Sequence, residues 1–316
     1  MRVGVIGTGF GARVVAPVFA ETPGYEVVDV VSARADADVA ALCDRQDLDL
    51  VSVHSPPFLH AAHVRRAIAG GHAVLCDKPF GRDASEAETL LAAAEAAEVV
   101  HLLNFEFRFD PMRARLHSLV TGGAIGRPEH VVWVHHSAGT RVPMRPHGWL
   151  FERASGGGWI GAWGSHTVDA LRWMLGDVVD AHAERRTTIA VRPDPDGVDR
   201  SCDAEDGFSA SLVFEGGVTA VIDSTSAAPV SLAPRITIAG SDGVLECVAD
   251  TRITVRRGPE RDEHERPKAD GDPHLEPMRR WAAVVRDAVE AGVASAGVPT
   301  FADGLACARV LDRLRA

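Results

Sequence analysis

A histidine and a lysine stand in settings where proton exchange would be useful. His166 follows the triple glycine Gly156–Gly158 and is the one titratable side chain in an apolar stripe at helical spacing. The stripe consists of Trp159, Trp163, His166, Ala170 and Trp173. Imidazole titrates near neutral pH, so His166 is either an acid–base residue or an inert, hydrogen-bonded core histidine. Lys78 is a second candidate, because the chain otherwise takes its positive charge from arginine apart from Lys268, and only lysine can be tuned to exchange a proton.

The composition limits the partners that this chain can have. Its 316 residues are enough for two domains, and 46% hydrophobic with 24% charged residues is typical of a globular protein. The net charge of -11 argues against nucleic acid or an anionic membrane as a main partner. No apolar run is long enough for a membrane span, and the chain starts with a strand-like run rather than a signal peptide. We therefore expect an ordinary soluble globular protein whose main partner is neither nucleic acid nor a membrane.

The cysteines and histidines do not predict a metal site. The five cysteines are scattered, with no pair at zinc-ligand spacing, which fits a reducing cytoplasm. The neighbours His135 and His136, and the pair His60 and His63, could ligate a metal in principle. No carboxylate or thiolate is clustered beside them, so no metal is expected.

Short apolar runs alternate with helical patterns in the first third of the chain. This alternation is typical of βαβ units and predicts a parallel sheet. The predicted strands are Val3–Ile6, Glu26–Val31, Leu50–His54, Ala73–Cys76 and Val99–Asn104. The predicted helices are Arg13–Thr22, a segment that ends at Ile68, and Ser85–Glu98.

The turn after the first predicted strand reads Gly-x-Gly-x-x-Ala. Glycines there let backbone N–H groups and a helix N-terminus approach a pyrophosphate, and Ala12 permits close packing of helix on strand. Between a strand and a helix at the start of a βαβ pattern, this turn predicts a dinucleotide site. Its residues are Gly7, Thr8, Gly9, Phe10, Gly11 and Ala12.

The end of the second predicted strand bears on which dinucleotide binds. An NAD site usually places Asp or Glu there to hold the ribose hydroxyls, whereas this chain has Ser32 and Arg34. A hydroxyl and a guanidinium suit a 2′-phosphate, which favours NADP over NAD. The alternative is that Arg34 faces solvent while Asp36 or Asp38 reaches the ribose.

After Pro128 the pattern changes to alternating strands joined by tight turns, which predicts an antiparallel sheet. One face could cover the helix at 160–175, and the other would need a second subunit, as in a homodimer or homotetramer. The predicted strands are His130–His135, Ala183–Val191, Phe208–Phe214, Val218–Ser224, Arg235–Ala239, Val244–Val248 and Ile253–Arg256. The polar segments Asp194–Asp206 and Pro259–Asp272 are expected to be exposed and mobile, with Lys268 solvated.

These patterns divide the chain into two domains. Residues 1–122 form the predicted dinucleotide-binding domain, and 123–300 form a domain for substrate binding and oligomerisation. Two helices, Leu275–Ala291 and Phe301–Leu314, close the chain. The last of them, within 301–316, is expected to return to the first domain.

Four motifs occur together in the order and spacing of one family. They are Gly7–Ala12, Ser55-Pro56-Pro57-x-x-His60, Asp77-Lys78-Pro79, and Gly156–Gly158 with Gly164-Ser165-His166. The chain therefore resembles the Gfo/Idh/MocA oxidoreductases over essentially its whole length. The resemblance implies an N-terminal Rossmann domain with a doubly wound parallel sheet, and a C-terminal α/β domain built on a large open, mainly antiparallel sheet. It also implies a dimer or tetramer that moves a hydride between NAD(P) and a sugar, cyclitol or related alcohol.

The resemblance assigns roles to single residues. Lys78 matches the lysine of the family's Glu-Lys-Pro motif, and His166 matches its catalytic histidine. Oxidation of a secondary alcohol needs a base for the hydroxyl proton while the hydride leaves, and His166 titrates in the useful range. Lys78 could hydrogen-bond the same oxygen and stabilise its developing charge. The residues implied to bind the cofactor are Ser55, Pro56, His60, Asp77 and Lys78.

The chain departs from the family at the expected catalytic carboxylate. An aspartate usually lies four residues before the histidine, and here that residue is Ala162. Either another acid replaces it, or the histidine and lysine work without one, or the protein is not a dehydrogenase. Glu106, after the fifth predicted strand, is the best replacement, although an ion pair with Arg108 would give it a purely structural role. Asp169 is spaced to orient His166 rather than to touch substrate.

The substrate contacts are predicted less directly. The polar and aromatic candidates are Arg108, His147, Trp149 and Trp163. Tryptophan faces suit stacking on a sugar ring, but tryptophans at helical spacing are also common core residues. Two further hypotheses stay open, namely a dinucleotide-binding regulator or scaffold that lost the chemistry, and an imine or enone reductase.

Overall fold

Strands and helices alternate along the first hundred residues and form a parallel sheet, as the sequence pattern predicts. The strands are β1 (Arg2–Ile6), β2 (Glu26–Val31), β3 (Leu50–Val53), β4 (Ala73–Cys76) and β5 (His101–Leu103). The helices are α1 (Ala16–Glu21), preceded by the π-helical turn Gly11–Val15, α2 (Asp36–Cys43), α3 (Pro57–Ala69) and α4 (Ala84–Ala96). The sequence analysis does not predict α2, because its apolar residues are not confined to one face.

The order of these five strands locates the edge where a ligand can bind. The order is β2-β1-β3-β4-β5, so the chain leaves β1 in one direction for β2 and in the other for β3. In such sheets, ligands bind beyond the carboxyl ends of the strands at this reversal. The glycine turn after β1 and the segments that follow β3 and β4 lie at this edge.

A second sheet of eight strands follows α5 (Pro111–Thr121), a helix that the pattern does not predict. Its strands are β6 (Pro128–His136), β7 (Val178–Arg186), β10 (Gly207–Phe214), β11 (Thr219–Thr225), β12 (Arg235–Gly240), β13 (Val244–Val248), β14 (Arg252–Arg257) and β15 (Glu260–Glu265). Their order is β15-β14-β13-β12-β6-β11-β10-β7, and among the described strand pairs of this sheet only β6 with β11 is parallel. Between β6 and β7 the chain forms the helix α6 (Ser165–Leu175), and between β7 and β10 it forms a separate hairpin of β8 (Val191–Pro193) and β9 (Asp199–Ser201).

The two faces of this sheet differ in burial. Val131 and Trp133 of β6 point to a buried face, while Val132 between them is 38% exposed. On that buried face, Trp159 Nε1 donates a hydrogen bond to Ser224 Oγ at 2.8 Å. The helix region around α6 therefore covers one face, as predicted.

The helix predicted at 160–175 has an irregular first turn. Ile160–Gly164 is π-helical, and the α-helix α6 begins at Ser165. The side chains buried most completely include Ile160, Val168 and Leu171, whereas the tryptophans of the predicted stripe are only partly buried. Trp159, Trp163 and His166 of the predicted stripe still contact one another in turn, with 6.0 Å between successive ring centroids, but the tryptophans are less buried than Ile160, Val168 and Leu171.

Several polar segments contain strands that the sequence analysis misses. The stretch Asp194–Asp206, predicted to be an exposed loop, contains β9 and ends in buried residues. The segment Pro259–Asp272 contains β15, and β7 starts at Val178 rather than at residue 183. Because β7 and β15 are edge strands with mostly exposed side chains, no apolar alternation marks them.

The structure describes residues 1–267 and 271–316, which form two compact units. Of the described residues, the first unit contains 1–110 and 271–309, and the second contains 111–267 and 310–316. The helices α7 (Leu275–Ala291) and α8 (Phe301–Arg315) close the chain, and α8 begins in the first unit and ends in the second. Lys268, predicted to be solvated, lies outside the described residues. No described helix is both long and apolar enough to cross a membrane.

The position of α7 corrects the predicted domain 123–300, because this helix packs in the first unit. Met278, Trp281 and Val285 on one face of α7 belong to the same buried cluster as the strands β1 and β3. Trp281 also stacks on Phe109 with ring centroids 4.8 Å apart. Periodicity shows that a helix has an apolar face, but not which domain that face covers.

Truncation of Trp281 tests this packing. The side chain is fully buried, so we expect Trp281→Ala to lower the free energy of unfolding by about 3–5 kcal/mol. Val293 is 63% exposed, and Val293→Ala should change it by less than about 0.5 kcal/mol. Denaturant titration followed by circular dichroism measures both. Equal effects of the two variants would contradict the packing of α7 in this core.

Candidate functional site

The glycine turn after β1 is built so that its backbone stays close to the strand beside it. Gly7 has φ of +131°, and a Cβ there would lie 2.4 Å from the carbonyl oxygen of His54. A Cβ on Gly11 would come within 3.1 Å of the His54 side chain. At Gly9, by contrast, no described atom would lie within 4 Å of a Cβ, so this backbone is open to a ligand. The predicted pyrophosphate turn therefore has one glycine for approach and two for packing.

The residues after β2 are compatible with both predictions for the adenosine ribose, namely Arg34 on a 2′-phosphate or an aspartate of α2 on the hydroxyls. Arg34 is exposed, and its side chain makes no hydrogen bond or ion pair with any described residue. Its backbone N–H donates to Ser32 Oγ at 3.3 Å. Asp36 and Asp38 lie in the first turn of α2, and Asp36 is exposed.

His60 lies beneath the segments that follow β3 and β4. Its ring is fully buried, with Nε2 at 2.7 Å from the Ser55 carbonyl and Nδ1 at 3.1 Å from the Pro79 carbonyl. Burial lowers the pKa of His60. Both nitrogens face backbone oxygens, so His60 lies between these two segments, and its neutral ring donates a hydrogen bond to one of the two carbonyls. Ser55 is also buried, and its Oγ lies 3.0 Å from His63 Nδ1.

Asp77 fixes the start of the segment that carries Lys78. Its Oδ1 accepts the backbone N–H of Lys78 at 2.9 Å and an N–H of the Asn104 amide at 3.4 Å. Its Oδ2 lies 3.3 Å from His54 Nδ1. Burial disfavours the charged carboxylate, but the hydrogen bond to His54 and nearby positive charge outweigh it and hold the pKa of Asp77 below its usual range. Sequence reasoning missed His54, which no motif marks.

Glu106 and Arg108 both have side-chain partners in the first unit. Glu106 is fully buried, and its Oε1 lies 2.6 Å from His274 Nδ1. Arg108 Nη2 pairs with Asp303 Oδ1 at 2.8 Å and is also buried. The ring of His274 packs 5.1 Å from that of Phe10 in the glycine turn. Sequence reasoning missed His274 as well, since it lies 168 residues from Glu106.

In the second unit, the triple glycine is required by its own surroundings. A Cβ on Gly157 would lie 2.3 Å from the Trp149 carbonyl, and one on Gly158 would lie 2.2 Å from Glu205 Oε1. That same Glu205 oxygen accepts the backbone N–H of Ile160 at 3.0 Å. The glycines therefore let Glu205 cap the start of the helix that carries His166.

His166 lies in the first turn of α6 beside a group of aromatic rings. It is 3% exposed, and its ring centroid is 6.0 Å from that of Trp163, edge to face. Trp163 stacks on His135 at 4.1 Å, and the Arg113 guanidinium lies 5.7 Å from the Trp163 ring centroid. Burial, reinforced by the charge of Arg113, lowers the pKa of His135 to about 4. His135 is therefore neutral near pH 7.

Ala162 lies in an apolar cluster in place of the expected carboxylate. With Trp149 it packs against Leu150, Phe151 and Cys202. His147, close by in sequence, donates its backbone N–H to the Pro193 carbonyl at 2.7 Å. Its ring Nε2 lies 3.2 Å from the Ser201 carbonyl.

The predicted site residues fall into two groups, one in each unit. The first unit holds the glycine turn, Ser32, Arg34, Ser55, Pro56, His60, Asp77, Lys78, Glu106 and Arg108. The second holds His147, Trp149, Trp163 and His166. Among the described residues, no group of three or more His, Cys, Asp or Glu is arranged to hold a metal ion.

Two family models match the chain in succession. Residues 1–105 match the oxidoreductase family with an NAD-binding Rossmann fold. Residues 114–246 match the GFO/IDH/MocA C-terminal domain. Both models agree with the parallel and the mainly antiparallel sheet.

Similar proteins of known name are oxidoreductases. An uncharacterized oxidoreductase of Synechocystis sp. is 31% identical over 79% of this chain and 72% of its own length. D-apiose dehydrogenase of Paraburkholderia graminis is 26% identical over 92% of this chain and 76% of its own. The solved structure of levoglucosan dehydrogenase in complex with NADH and levoglucosan superposes with a TM-score of 0.87 at 21% identity, covering 100% of this chain and 96% of that one.

Proposed function

This chain belongs to the Gfo/Idh/MocA family of NAD(P)-dependent oxidoreductases, and we propose that Lys78 and His166 carry its hydride-transfer chemistry. The substrate class is a secondary alcohol or ketone of a sugar, cyclitol or related polyol, as in the relatives named dehydrogenases and reductases. The observation that carries the proposal is the fixed position of Lys78. Asp77 holds its backbone N–H at the carboxyl end of β4, the edge where such sheets bind their cofactor.

The roles follow from the chemistry of the two side chains. A bound nicotinamide accepts or delivers the hydride. His166 exchanges the proton of the reacting hydroxyl, as an imidazole does near neutral pH. Lys78 donates a hydrogen bond to the same oxygen and stabilises the charge that develops on it.

The proposal needs no carboxylate at residue 162. Ala162 packs in an apolar cluster, and Glu106 is fully buried against His274, so neither supports direct contact of a carboxylate with substrate. We assign Glu106 an indirect role through His274, whose side chain is 28% exposed. The aromatic residues beside His166 then give the substrate an apolar surface to stack on. Trp149, Trp163, His147 and Arg108 remain the residues proposed to contact the substrate.

NADP is the proposed cofactor of choice. The exposed guanidinium of Arg34 has no side-chain partner among the described residues, so it is available for a 2′-phosphate. Ser32 lies beside it and could donate its hydroxyl to the same group.

A homo-oligomer formed through the second sheet is part of this proposal. On the open face, Val132 of β6 and Val221 of β11 are register partners, 38% and 44% exposed. Adjacent exposed valines favour coverage by another protein surface. The five cysteines are scattered along the sequence and buried, which favours a reducing compartment such as the cytoplasm.

Two substitutions test the catalytic assignment. We expect Lys78→Ala and His166→Ala to keep cofactor affinity within about threefold while kcat falls by about 10²–10⁴-fold, the usual contribution of such groups. Absorbance of the reduced cofactor measures turnover over a panel of sugars, cyclitols and polyols, and its fluorescence measures binding. His182→Ala is the control, because that side chain is 75% exposed on β7. Wild-type turnover by both variants would refute the assignment.

A third substitution tests the cofactor preference. Loss of a hydrogen-bonded ion pair costs about 1.5–3 kcal/mol, so Arg34→Ala should lower kcat/KM for NADP by about 10–100-fold and leave NAD within about threefold. Asp36→Ala is the matched control and should change neither. If Asp36→Ala instead weakens the use of NAD and Arg34→Ala has no effect, the carboxylate holds the ribose and the preference is for NAD.

A further inference from the structure

Ser52, His54 and Asp77 form a chain of hydrogen bonds at the ligand-binding edge of the parallel sheet. Ser52 Oγ lies 2.7 Å from His54 Nε2, and His54 Nδ1 lies 3.3 Å from Asp77 Oδ2. The three residue types are those of a hydrolytic triad. Ser52 is fully buried within β3, however, so no substrate can reach its hydroxyl. Ser52 therefore does not act as a nucleophile, and these hydrogen bonds have a different role.

The protonation of His54 follows from its partners. An ionised carboxylate only accepts hydrogen bonds, so His54 Nδ1 carries the proton and donates to Asp77. Asp77 is ionised at neutral pH, because its pKa lies below the usual range. Nε2 faces Ser52 Oγ, from which it accepts the hydroxyl proton when the ring is neutral and to which it donates when the ring is protonated.

His54 also supports the glycine turn. Its carbonyl oxygen is the atom that a Cβ on Gly7 would meet at 2.4 Å, and its Cβ is what one on Gly11 would meet at 3.1 Å. Its ring lies 5.8 Å from the ring of Phe10, centroid to centroid. The glycine turn is thus open to a ligand at Gly9 and lies against His54 at Gly7 and Gly11.

One residue therefore touches both parts of the first unit's site. Through its backbone and ring it contacts the glycine turn, and through Nδ1 it holds the carboxylate that fixes Lys78. We propose that His54 is a positioning residue that sets the glycine turn and the Lys78 segment in register for one bound dinucleotide. This role rests on the proposed functions of the turn and of Lys78. It predicts that the Nδ1–H donor matters more than the size of the side chain.

Two isosteric substitutions separate this role from simple packing. The amide nitrogen of asparagine can replace Nδ1, and that of glutamine can replace Nε2. We expect His54→Ala and His54→Gln to raise the Kd of NADPH or NADH by about tenfold, the value of one hydrogen bond to a charged group. His54→Asn should recover most of the affinity. Cofactor fluorescence gives Kd, and thermal unfolding gives stability for each variant.

Labelling of Lys78 provides a second measurement. The chain has two lysines, so an amine-reactive ester followed by peptide mass spectrometry compares Lys78 with Lys268 in the same sample. At cofactor saturation, wild type and His54→Asn should protect Lys78, whereas His54→Gln should not. If His54→Gln lowers cofactor affinity but Lys78 is still protected at saturation, then His54 does not couple the glycine turn to the Lys78 segment.

The rank order of cofactor Kd among the His54 variants distinguishes a positioning role from a packing role. If Kd follows thermal stability, or if asparagine and glutamine act alike, His54 is a packing residue and the proposal is wrong. Wild-type protein that binds neither NADPH nor NADH would overturn the proposed function and this role with it. Normal wild-type binding with equal effects of both variants would overturn the positioning role alone.

Discussion

The carboxylate of Asp77 is the charge on which the site of the first unit depends. It lies where burial opposes ionisation, and three donors offset this cost: His54 Nδ1–H, the Lys78 backbone N–H and the Asn104 amide. Removal of any one of them leaves a buried charge less well satisfied. The need to satisfy this carboxylate therefore fixes the segment after β4, and it fixes the backbone of Lys78 in particular.

The second unit positions its histidine by a comparable device. Glu205 occupies space that only Gly158 leaves open, and it accepts the N–H of Ile160 at the start of the helix. His166 lies six residues after Ile160, and its ring contacts that of Trp163. Trp163 in turn stacks on His135, which is neutral near pH 7. In each unit, a carboxylate bonded to a backbone N–H thus fixes the segment that carries the proposed reactive side chain.

Sequence reasoning found the parts that local patterns encode. The buried strands β3 and β4, the glycine turn, and the scarcity that singles out Lys78 are all visible within a few residues. It missed His54 and His274, because their partners lie 23 and 168 residues away and no spacing marks such pairs. The triple glycine is visible in the sequence only as part of a motif, whereas the structure shows that Gly157 and Gly158 are required by contacts inside their own unit. The strand β15 was missed because both of its faces are polar.

The central claim is that Lys78 and His166 act on one substrate oxygen, with no carboxylate at Ala162. A crystal structure of the protein with bound cofactor and a substrate alcohol tests it most directly. The account predicts that Lys78 Nζ and a ring nitrogen of His166 each lie within about 3.2 Å of the reacting oxygen, the reach of proton transfer. A substrate oxygen bonded instead to a carboxylate, with either Lys78 or His166 out of reach, would contradict it.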